Sequence, residues 1–169
     1  SGPSGQRSEV FSIVLFEPEI PPNTGNVIRL CANTGAALHL IHPLGFQMKD
    51  RALKRAGLDY HEYAAVCEHI SFEAYLASAN PRRVFAFSTQ GKTCYSDARF
   101  EVGDALLFGP ETRGLPWEIW SSMKADRQLT IPMQPGSRSL NLSNAVALVL
   151  FEAWRQQGFR GAAGVALEA

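Results

Sequence analysis

The fold of this chain is decided by the stretch Ile131-Pro-Met-Gln-Pro-Gly-Ser-Arg-Ser-Leu-Asn-Leu-Ser-Asn144 and by the apolar helix predicted after it, over residues 145–157. A strand end at residues 129–131 runs into a loop stiffened by two prolines, and five serine and asparagine side chains then fill residues 137–144. One such residue is enough to cap a helix. The unpaired N–H groups at a helix start can also bind a polar ligand. The stretch therefore predicts a ligand site, with ordinary helix capping as the alternative.

Size and composition predict one globular domain. The chain has 169 residues, of which 46% are hydrophobic and 19% are charged, so it is long enough to bury a core. Residues 1–8 are interpreted as an expression remnant with a disordered N-terminus, residues 9–159 as the domain, and residues 160–169 as a flexible tail rich in glycine and alanine. The net charge of zero weakly disfavours a nucleic-acid partner, although the distribution of charge matters more than its sum.

Localisation is predicted from what the sequence lacks. It has no apolar run of the roughly 20 residues that span a bilayer and no secretory signal, so no membrane association is expected. The three cysteines are odd in number and widely spaced, and they match no zinc pattern. Such cysteines are typical of a reducing compartment, and we predict a cytoplasmic protein without a bound metal.

Alternating strand and helix signals predict a parallel α/β sheet, because near-continuous apolar runs are typical of strands buried on both faces. The predicted strands are residues 10–16, 38–41, 62–66, 84–88, 105–108 and 129–131. The predicted helices are residues 23–35, 46–58, 71–78 and 145–157, with the proline-rich residues 17–22 as a rigid loop.

Three predicted strands end in loops of small and polar residues, at residues 87–91, 109–114 and 131–141. In an open parallel sheet, ligands bind outside the carboxyl ends of the strands, and small residues let the main chain approach them. None of the loops has a phosphate-binding glycine pattern, which argues against ATP and NAD. No nucleophile elbow and no metal-ligand spacing is present either. The loops therefore predict an already activated ligand that the protein has only to position.

The last predicted helix is apolar around nearly its whole circumference, so it requires two packing partners. One partner is its own sheet. We predict that the second is another copy of the chain, giving a homodimer through this helix. The alternative is a helix enclosed in the core of its own chain.

Three motifs resemble those of the SPOUT RNA methyltransferases, in the branch that methylates ribose 2′-hydroxyl groups. They are Asn23-Thr-Gly-Asn-Val-Ile-Arg29, Phe108-Gly-Pro-Glu-Thr-Arg-Gly-Leu-Pro116 and the run from Ile131 to Ala145. With the further runs at residues 55–62 and 151–156, the chain is similar to the compact members that modify the wobble nucleotide of tRNA.

The resemblance implies a fold, a cofactor and a reaction. It implies a parallel-sheet α/β fold with a deep C-terminal trefoil knot, S-adenosylmethionine as cofactor, a dimer built on the final helix, and methylation of the wobble cytidine or uridine in leucine tRNAs. The resemblance also implies three sets of site residues. The implied cofactor-binding residues are Phe87, Gly109, Ile131, Met133, Ser139 and Leu140. The implied substrate-binding residues are Asn23, Asn26, Arg29, Arg51, Arg55 and Glu111, and the implied catalytic residues are Arg29, Ser139 and Asn141.

Arg29 is the implied general base, but a guanidinium with a pKa above about 12 rarely gives up its proton. We expect Arg29 instead to hold the phosphate and to stabilise the developing alkoxide. The alternative is a surface arginine paired with Glu17 or Glu19. Further basic residues form an expected RNA footprint, although such a group is as often a solvated face: Lys49, Arg51, Lys54, Arg55, Arg82, Arg83, Arg113 and Arg138.

Other functions stay open at this stage. They are 2′-O-methylation at another tRNA or rRNA position, RNA binding without catalysis by a protein that has kept the fold, and binding of a nucleotide or flavin.

Overall fold

The computed structural model describes residues 10–49, 51–54 and 57–164. Three parts of the predictions lie outside the described residues: the remnant at residues 1–8, Arg55, and the last five residues of the tail. The strands of the described part are β1 (Ser12–Phe16), β2 (Ala37–Ile41), β3 (Val66–His69), β4 (Val84–Phe87), β5 (Thr93–Cys94), β6 (Ala105–Phe108) and β7 (Gln128–Thr130). They form one sheet in the order β3-β2-β1-β6-β4-β7-β5, and every neighbouring pair is parallel.

Helices connect most of these strands. They are α1 (Pro21–Thr34), α2 (Arg51–Lys54), α3 (Tyr60–Ala64), α4 (Phe72–Ala79), α5 (Trp117–Trp120) and α6 (Leu142–Gln156), with 3-10 turns at Tyr95–Asp97 and Ala125–Arg127. The predicted parallel α/β fold is confirmed. The trefoil knot stays a prediction.

The sheet is covered on both faces, as the continuous apolar strands predicted. Alternate residues of β1 enter two separate cores: Ile13 and Leu15 pack with Val27 of α1 and Val146 of α6, whereas Val14 packs on the opposite face, near α4 and α5. All five residues of β1 are buried. Because α1 and α6 share one face, their first turns lie side by side at the edge where the strands end.

Helix α1 begins earlier than predicted, because Pro21 and Pro22 form its first turn rather than a loop. A proline is well tolerated there, since the N–H groups of the first turn have no partner within the helix and the proline φ suits a helix. The helix ends as predicted at Gly35, whose φ of 77° lets its N–H reach the Cys31 carbonyl.

The predictions for residues 46–66 were wrong. Among the described residues of the predicted helix over 46–58, only those of α2 are helical, and the predicted strand over residues 62–66 contains the end of α3. A capping box begins α3: Asp59 accepts a hydrogen bond from the Glu62 N–H, and the Glu62 carboxylate accepts one from the Asp59 N–H. This local pairing favours a helix start at a place where periodicity indicated a strand, and β3 begins only at Val66. The two-residue strand β5 was also missed.

Two histidines, His39 of β2 and His69 of β3, lie on the face of the sheet that α4 covers. His39 Nδ1 and His69 Nε2 are 2.9 Å apart, and both rings contact the buried ring of Tyr75. Burial, with the nearby His69, lowers the pKa of His39 to about 4. Burial also lowers the pKa of His69. The pair therefore stays neutral in the folded protein at pH values where an unfolded histidine is charged.

We expect the folded state to lose stability as the pH falls from about 6.5 toward 4. The unfolded His39 binds a proton near pH 6.5, whereas the folded one resists protonation until about pH 4. The unfolded state thus binds more protons in this window, which costs up to about 3 kcal/mol of folding free energy. Chemical denaturation at several pH values measures this slope. His39→Phe should flatten it, because the buried imidazole is then absent. An unchanged slope in His39→Phe would rule this explanation out.

Candidate functional site

A cavity of about 570 Å³ opens at the carboxyl ends of β4, β6 and β7, where the three predicted loops meet. Residues 87–90, 109–115 and 139–142 line it, with Ile131, Met133 and the start of α1. All of the residues expected to bind the cofactor border this cavity: Phe87, Gly109, Ile131, Met133, Ser139 and Leu140. Their common location matches the expectation from the strand order, and their roles stay a prediction.

The floor of the cavity is aromatic and apolar. Phe87 and Phe108, which are paired across β4 and β6, stack with their ring centroids 4.7 Å apart and their planes at 7°. Leu142 and Ala145 in the first turn of α6 complete the apolar lining. The rest of the lining combines polar side chains such as Gln90 and Asn141 with exposed apolar ones such as Leu140. Apolar surface with a few polar groups is the usual composition of a site for a small molecule.

Gly109 is required by the shape of the loop after β6. A Cβ atom at this position would lie 2.5 Å from the Leu115 nitrogen and 2.6 Å from the Gly114 carbonyl carbon. The loop therefore folds back onto itself so closely that no side chain fits at its base. As a result, main-chain atoms rather than side chains border the cavity here.

Two carboxylates fasten this loop to the loop after β1. Glu111 accepts hydrogen bonds from the Glu19 and Ile20 N–H groups, both at 2.8 Å, and so satisfies donors at the start of α1. In return, Glu19 accepts hydrogen bonds from the Thr112 N–H and hydroxyl, each at 2.8 Å. β1 and β6 are neighbours, and the chain leaves them toward opposite sides of the sheet, so these bonds bridge the switch point of the topology.

The two carboxyl groups of this bridge have opposite pKa shifts. The hydrogen bonds from Thr112 lower the pKa of Glu19. Burial raises the pKa of Glu111, against the effect of its hydrogen bonds from the Glu19 and Ile20 N–H groups. Glu111 lines the cavity, as expected for a substrate-binding residue, but its carboxylate holds the main chain of another loop. Its substrate role stays a prediction.

Asn141, in the stretch 131–144, caps helix α6 and also lines the cavity. Its side-chain oxygen caps α6 by accepting from the Ser143 N–H at 2.9 Å, and its amide nitrogen donates to the Asn23 side-chain oxygen at 2.9 Å. Both asparagines line the cavity, and Asn23 is buried. The bond between them joins the starts of α1 and α6. Helix capping at Asn141 and a cavity wall are thus properties of the same residue.

Arg29 lies outside the cavity, on α1 six residues after Asn23. Its Nε donates to a Glu62 carboxylate oxygen at 2.9 Å, and its guanidinium also contacts the Gly57 carbonyl. The acid that pairs with it is therefore Glu62 of α3 and neither Glu17 nor Glu19, both of which contact the loop after β6. The sequence could not identify this acid, because residues 62–66 were predicted to be a strand.

The other expected substrate residues are divided between the two regions. Asn26 is exposed on α1 and Arg51 is exposed on α2, and neither borders the cavity. Asn26 lies three residues before Arg29 on α1, and Arg51 lies on a helix that contacts α1. Arg55, expected on the same helix as Arg51, lies outside the described residues.

The structure places Arg82 and Arg83 of the expected RNA footprint in ion pairs away from the cavity. Arg83 donates to both carboxylate oxygens of the buried Asp104, at 3.0 and 2.6 Å, and Arg82 pairs with Glu101. These residues precede β4 and β6, so they lie at the amino edge of the sheet, opposite the cavity. Arg83 stabilises this edge, because a buried carboxylate requires a charged partner. Arg113, at the rim of the cavity, and Arg138 are both exposed.

Trp117 is a residue that sequence reasoning missed. It lines the cavity, yet 69% of its surface is exposed. Its position after Leu115 and Pro116 of the second motif was the available signal. An exposed aromatic ring at the mouth of a cavity offers a stacking surface to a planar ligand.

Among residues 10–49, 51–54 and 57–164, no group of three or more His, Cys, Asp and Glu side chains is arranged to hold a metal ion. Within the same residues, every helix is too short or too polar to cross a bilayer.

The fold and the cavity define an α/β protein with a cavity at the carboxyl edge of a parallel sheet, lined by residues of three loops together with aromatic and apolar side chains. A family model described as the SpoU rRNA methylase family matches residues 10–151. The chain belongs to this family.

Relatives and solved structures agree with this assignment. The chain is 59% identical to a tRNA (cytidine(34)-2′-O)-methyltransferase of Aeromonas hydrophila, over 90% of this chain and 97% of the relative. It is 47% identical, with a TM-score of 0.81, to a structure described as giving insights into the 2-OH methylation of C/U34 on tRNA, over 90% of this chain and 99% of that one. It is 26% identical, with a TM-score of 0.73, to the SpoU methyltransferase AviRb of Streptomyces viridochromogenes in complex with AdoMet, over 90% of this chain and 62% of that one.

Proposed function

We propose that the chain transfers a methyl group from S-adenosylmethionine to the ribose 2′-hydroxyl of the wobble nucleotide, cytidine or uridine 34, of tRNA. The single observation that carries the proposal is the meeting of three separated loops around one cavity, in a chain that shares more than half of its residues with a tRNA (cytidine(34)-2′-O)-methyltransferase.

The residues of the cavity fit the cofactor. Its volume of about 570 Å³ is in the range of sites for molecules of this size. The tight base of the loop at Gly109 leaves main-chain atoms at the wall, where they can bind a polar ligand. The residues that would hold the cofactor are Phe87, Gly109, Ile131, Met133, Ser139 and Leu140. When bound, S-adenosylmethionine supplies a methyl group on a positively charged sulfur, ready for displacement by an oxygen nucleophile.

The contribution of the protein is to position and to stabilise charge. Holding a hydroxyl group near the methyl carbon can lower the barrier by roughly 7–11 kcal/mol. Asn141 and Ser139 border the cavity and can orient the ribose. Arg29 lies about 9 Å from Asn23 along the axis of α1 at 1.5 Å per residue. An RNA strand that follows α1 would therefore contact both regions, with its phosphate on the guanidinium. Arg51 and Arg55 would extend this contact.

The substrate is proposed to be the leucine tRNAs, and the enzyme is proposed to act in the cytoplasm. The first point rests on the motifs at residues 55–62 and 151–156. The second agrees with the free state of the three cysteines, which suits a reducing compartment.

We also propose a homodimer through α6. One side of this helix is buried against its own sheet by Val146, Val149 and Leu150, but Leu148 and Phe151 remain 44% and 42% exposed on the other side. Exposed leucine and phenylalanine side chains on a helix that is already packed indicate a second apolar partner.

The dimer predicts a mass of two chains in analytical ultracentrifugation. Leu148→Glu should give a monomer, because it places a charge in the contact. Leu76→Glu, at an exposed leucine of α4, should leave the mass unchanged. A monomeric unsubstituted chain would contradict the proposed dimer.

The function is tested by incubating the chain with labelled S-adenosylmethionine and bulk tRNA. Label is expected in the RNA, and nuclease digestion with mass spectrometry should locate it as a 2′-O-methyl group at nucleotide 34 of leucine tRNAs. Label at another nucleotide of the tRNA would replace the proposed substrate. Cofactor binding without any label in RNA would favour a non-catalytic role.

A further inference from the structure

We infer that Glu62 is a positioning residue, which holds the guanidinium of Arg29 in the orientation that the RNA requires. The inference rests on the proposed function, because Glu62 would act on the reaction only through Arg29.

The two carboxylate oxygens of Glu62 accept hydrogen bonds from two different groups. One oxygen accepts the Arg29 Nε–H at 2.9 Å, and the other accepts the Asp59 main-chain N–H at 3.2 Å. Asp59 in turn accepts the Glu62 N–H at 2.9 Å. The start of α3 therefore fixes the direction of the carboxylate, and the carboxylate fixes the arginine.

Gly57 supplies a second acceptor on the same short segment. Its carbonyl oxygen contacts the Arg29 guanidinium, and its φ of 73° is a left-handed conformation that favours glycine. A Cβ atom here would lie 3.5 Å from Nη2 of Arg29. Residues 57–62 thus provide two acceptors for the Arg29 guanidinium, the Gly57 carbonyl and the Glu62 carboxylate, and we call them the arginine-binding segment.

The exposure of the pair points to function rather than to simple charge balance. Only 16% of the Glu62 side chain is exposed, against 44% of the Arg29 side chain. The acid is sheltered beneath the arginine, which remains accessible to a partner. An arginine that is already ordered loses less rotamer freedom on binding RNA.

The arginine-binding segment is separate from the cavity. Neither Glu62 nor Arg29 borders it. A change at Glu62 should therefore act on methyl transfer without acting on cofactor affinity, which distinguishes positioning from damage to the cofactor site.

The substitution Glu62→Gln tests this inference. Glutamine is tolerated at this position of a capping box, so α3 should remain folded. The two donors, however, face different oxygens of Glu62, and glutamine replaces one of these oxygens with an NH2 group. Either the Asp59 N–H or the Arg29 Nε–H therefore meets a donor instead of an acceptor, and the charge is lost. The matched control is Glu101→Gln, which neutralises the acid paired with Arg82 at the opposite edge of the sheet.

The variants are compared by their rates, cofactor affinities, NMR spectra and melting temperatures. Under single-turnover conditions with saturating tRNA and cofactor, Glu62→Gln should slow methyl transfer at least tenfold, while the dissociation constant for the cofactor changes less than twofold. In an Arg29→Lys background, which lacks the guanidinium, the same substitution should change the rate less than twofold. Nitrogen-15 NMR should show an ordered Arg29 Nε–H in the unsubstituted chain and in Glu101→Gln, and a mobile one in Glu62→Gln.

An ordered Nε–H in Glu62→Gln would overturn the inference, whatever the activity. An equal loss of rate in both backgrounds would also overturn it, as would a fall in melting temperature of more than about 5 °C, because Glu62 would then act on stability. If the unsubstituted chain transfers no methyl group to tRNA, the proposed function fails, and the NMR measurement still decides whether Glu62 holds Arg29.

Discussion

Arg29→Ala is expected to lower methyl transfer to tRNA by a factor of about 100 to 1,000 while leaving the affinity for S-adenosylmethionine unchanged. The rate should fall because the guanidinium that holds the RNA phosphate is lost, so the ribose hydroxyl is displaced from the methyl carbon. A displacement of about 1 Å can by itself cost roughly a hundredfold in rate. Cofactor affinity should persist because Arg29 contacts Glu62 and Gly57 and does not border the cavity. Single-turnover kinetics and calorimetry measure the two quantities separately.

The control for this substitution is Arg82→Ala, which removes an arginine of an exposed ion pair at the amino edge of the sheet. Its rate should remain near that of the unsubstituted chain. Arg29→Lys should be nearly as slow as Arg29→Ala, since an ammonium lacks the planar fork of donors that binds a phosphate. Loss of cofactor binding in Arg29→Ala would assign Arg29 to the cofactor site and contradict its proposed role.

Gly109→Ala is expected to weaken cofactor binding at least about a hundredfold, below what calorimetry readily detects. The added methyl group would lie 2.5 Å from the Leu115 nitrogen and 2.6 Å from the Gly114 carbonyl carbon, both of which belong to the main chain. The loop must therefore move, and this loop forms one wall of the cavity. Overpacking of this kind also costs about 1–3 kcal/mol of folding free energy.

Gly35→Ala is the matched control, because it separates backbone strain from steric overlap. Gly35 has a φ of 77°, but a Cβ atom there has no neighbour within 4 Å. Alanine at this position should cost about 1 kcal/mol of stability, since the conformation disfavours a side chain. Cofactor affinity should not change. A Gly109→Ala chain that binds the cofactor normally would show that the loop does not form the site.

The buried strands and the three loops were predictable because their signals are local. Apolar runs mark β1, β4 and β6, and each loop follows its strand directly in the sequence. The parallel order of the strands then requires the loops to meet at one edge. The cofactor itself could be predicted only from the resemblance of the three motifs, since spacing alone excluded ATP and NAD without indicating another ligand.

The position of Arg29 could not be predicted, because it depends on contacts between residues far apart in the chain. Its partner Glu62 lies 33 residues away, on a helix that the pattern assigned to a strand. The bond from the Glu19 N–H to Glu111 spans 92 residues, so nothing near Glu111 indicated that its carboxylate is already engaged. Pro21 and Pro22 misled the prediction in another way, since prolines that end most helices are accommodated in a first turn.

The central claim is that the cavity between the three loops holds S-adenosylmethionine, and a crystal structure of the chain grown with this cofactor tests it most directly. The expected result is cofactor density between residues 87–91, 109–114 and 131–141, with main-chain atoms of these loops within hydrogen-bonding distance and the methyl group facing the side of Asn141. Cofactor density at another surface, with these loops unchanged and the cavity without ligand at saturating cofactor, would contradict the account.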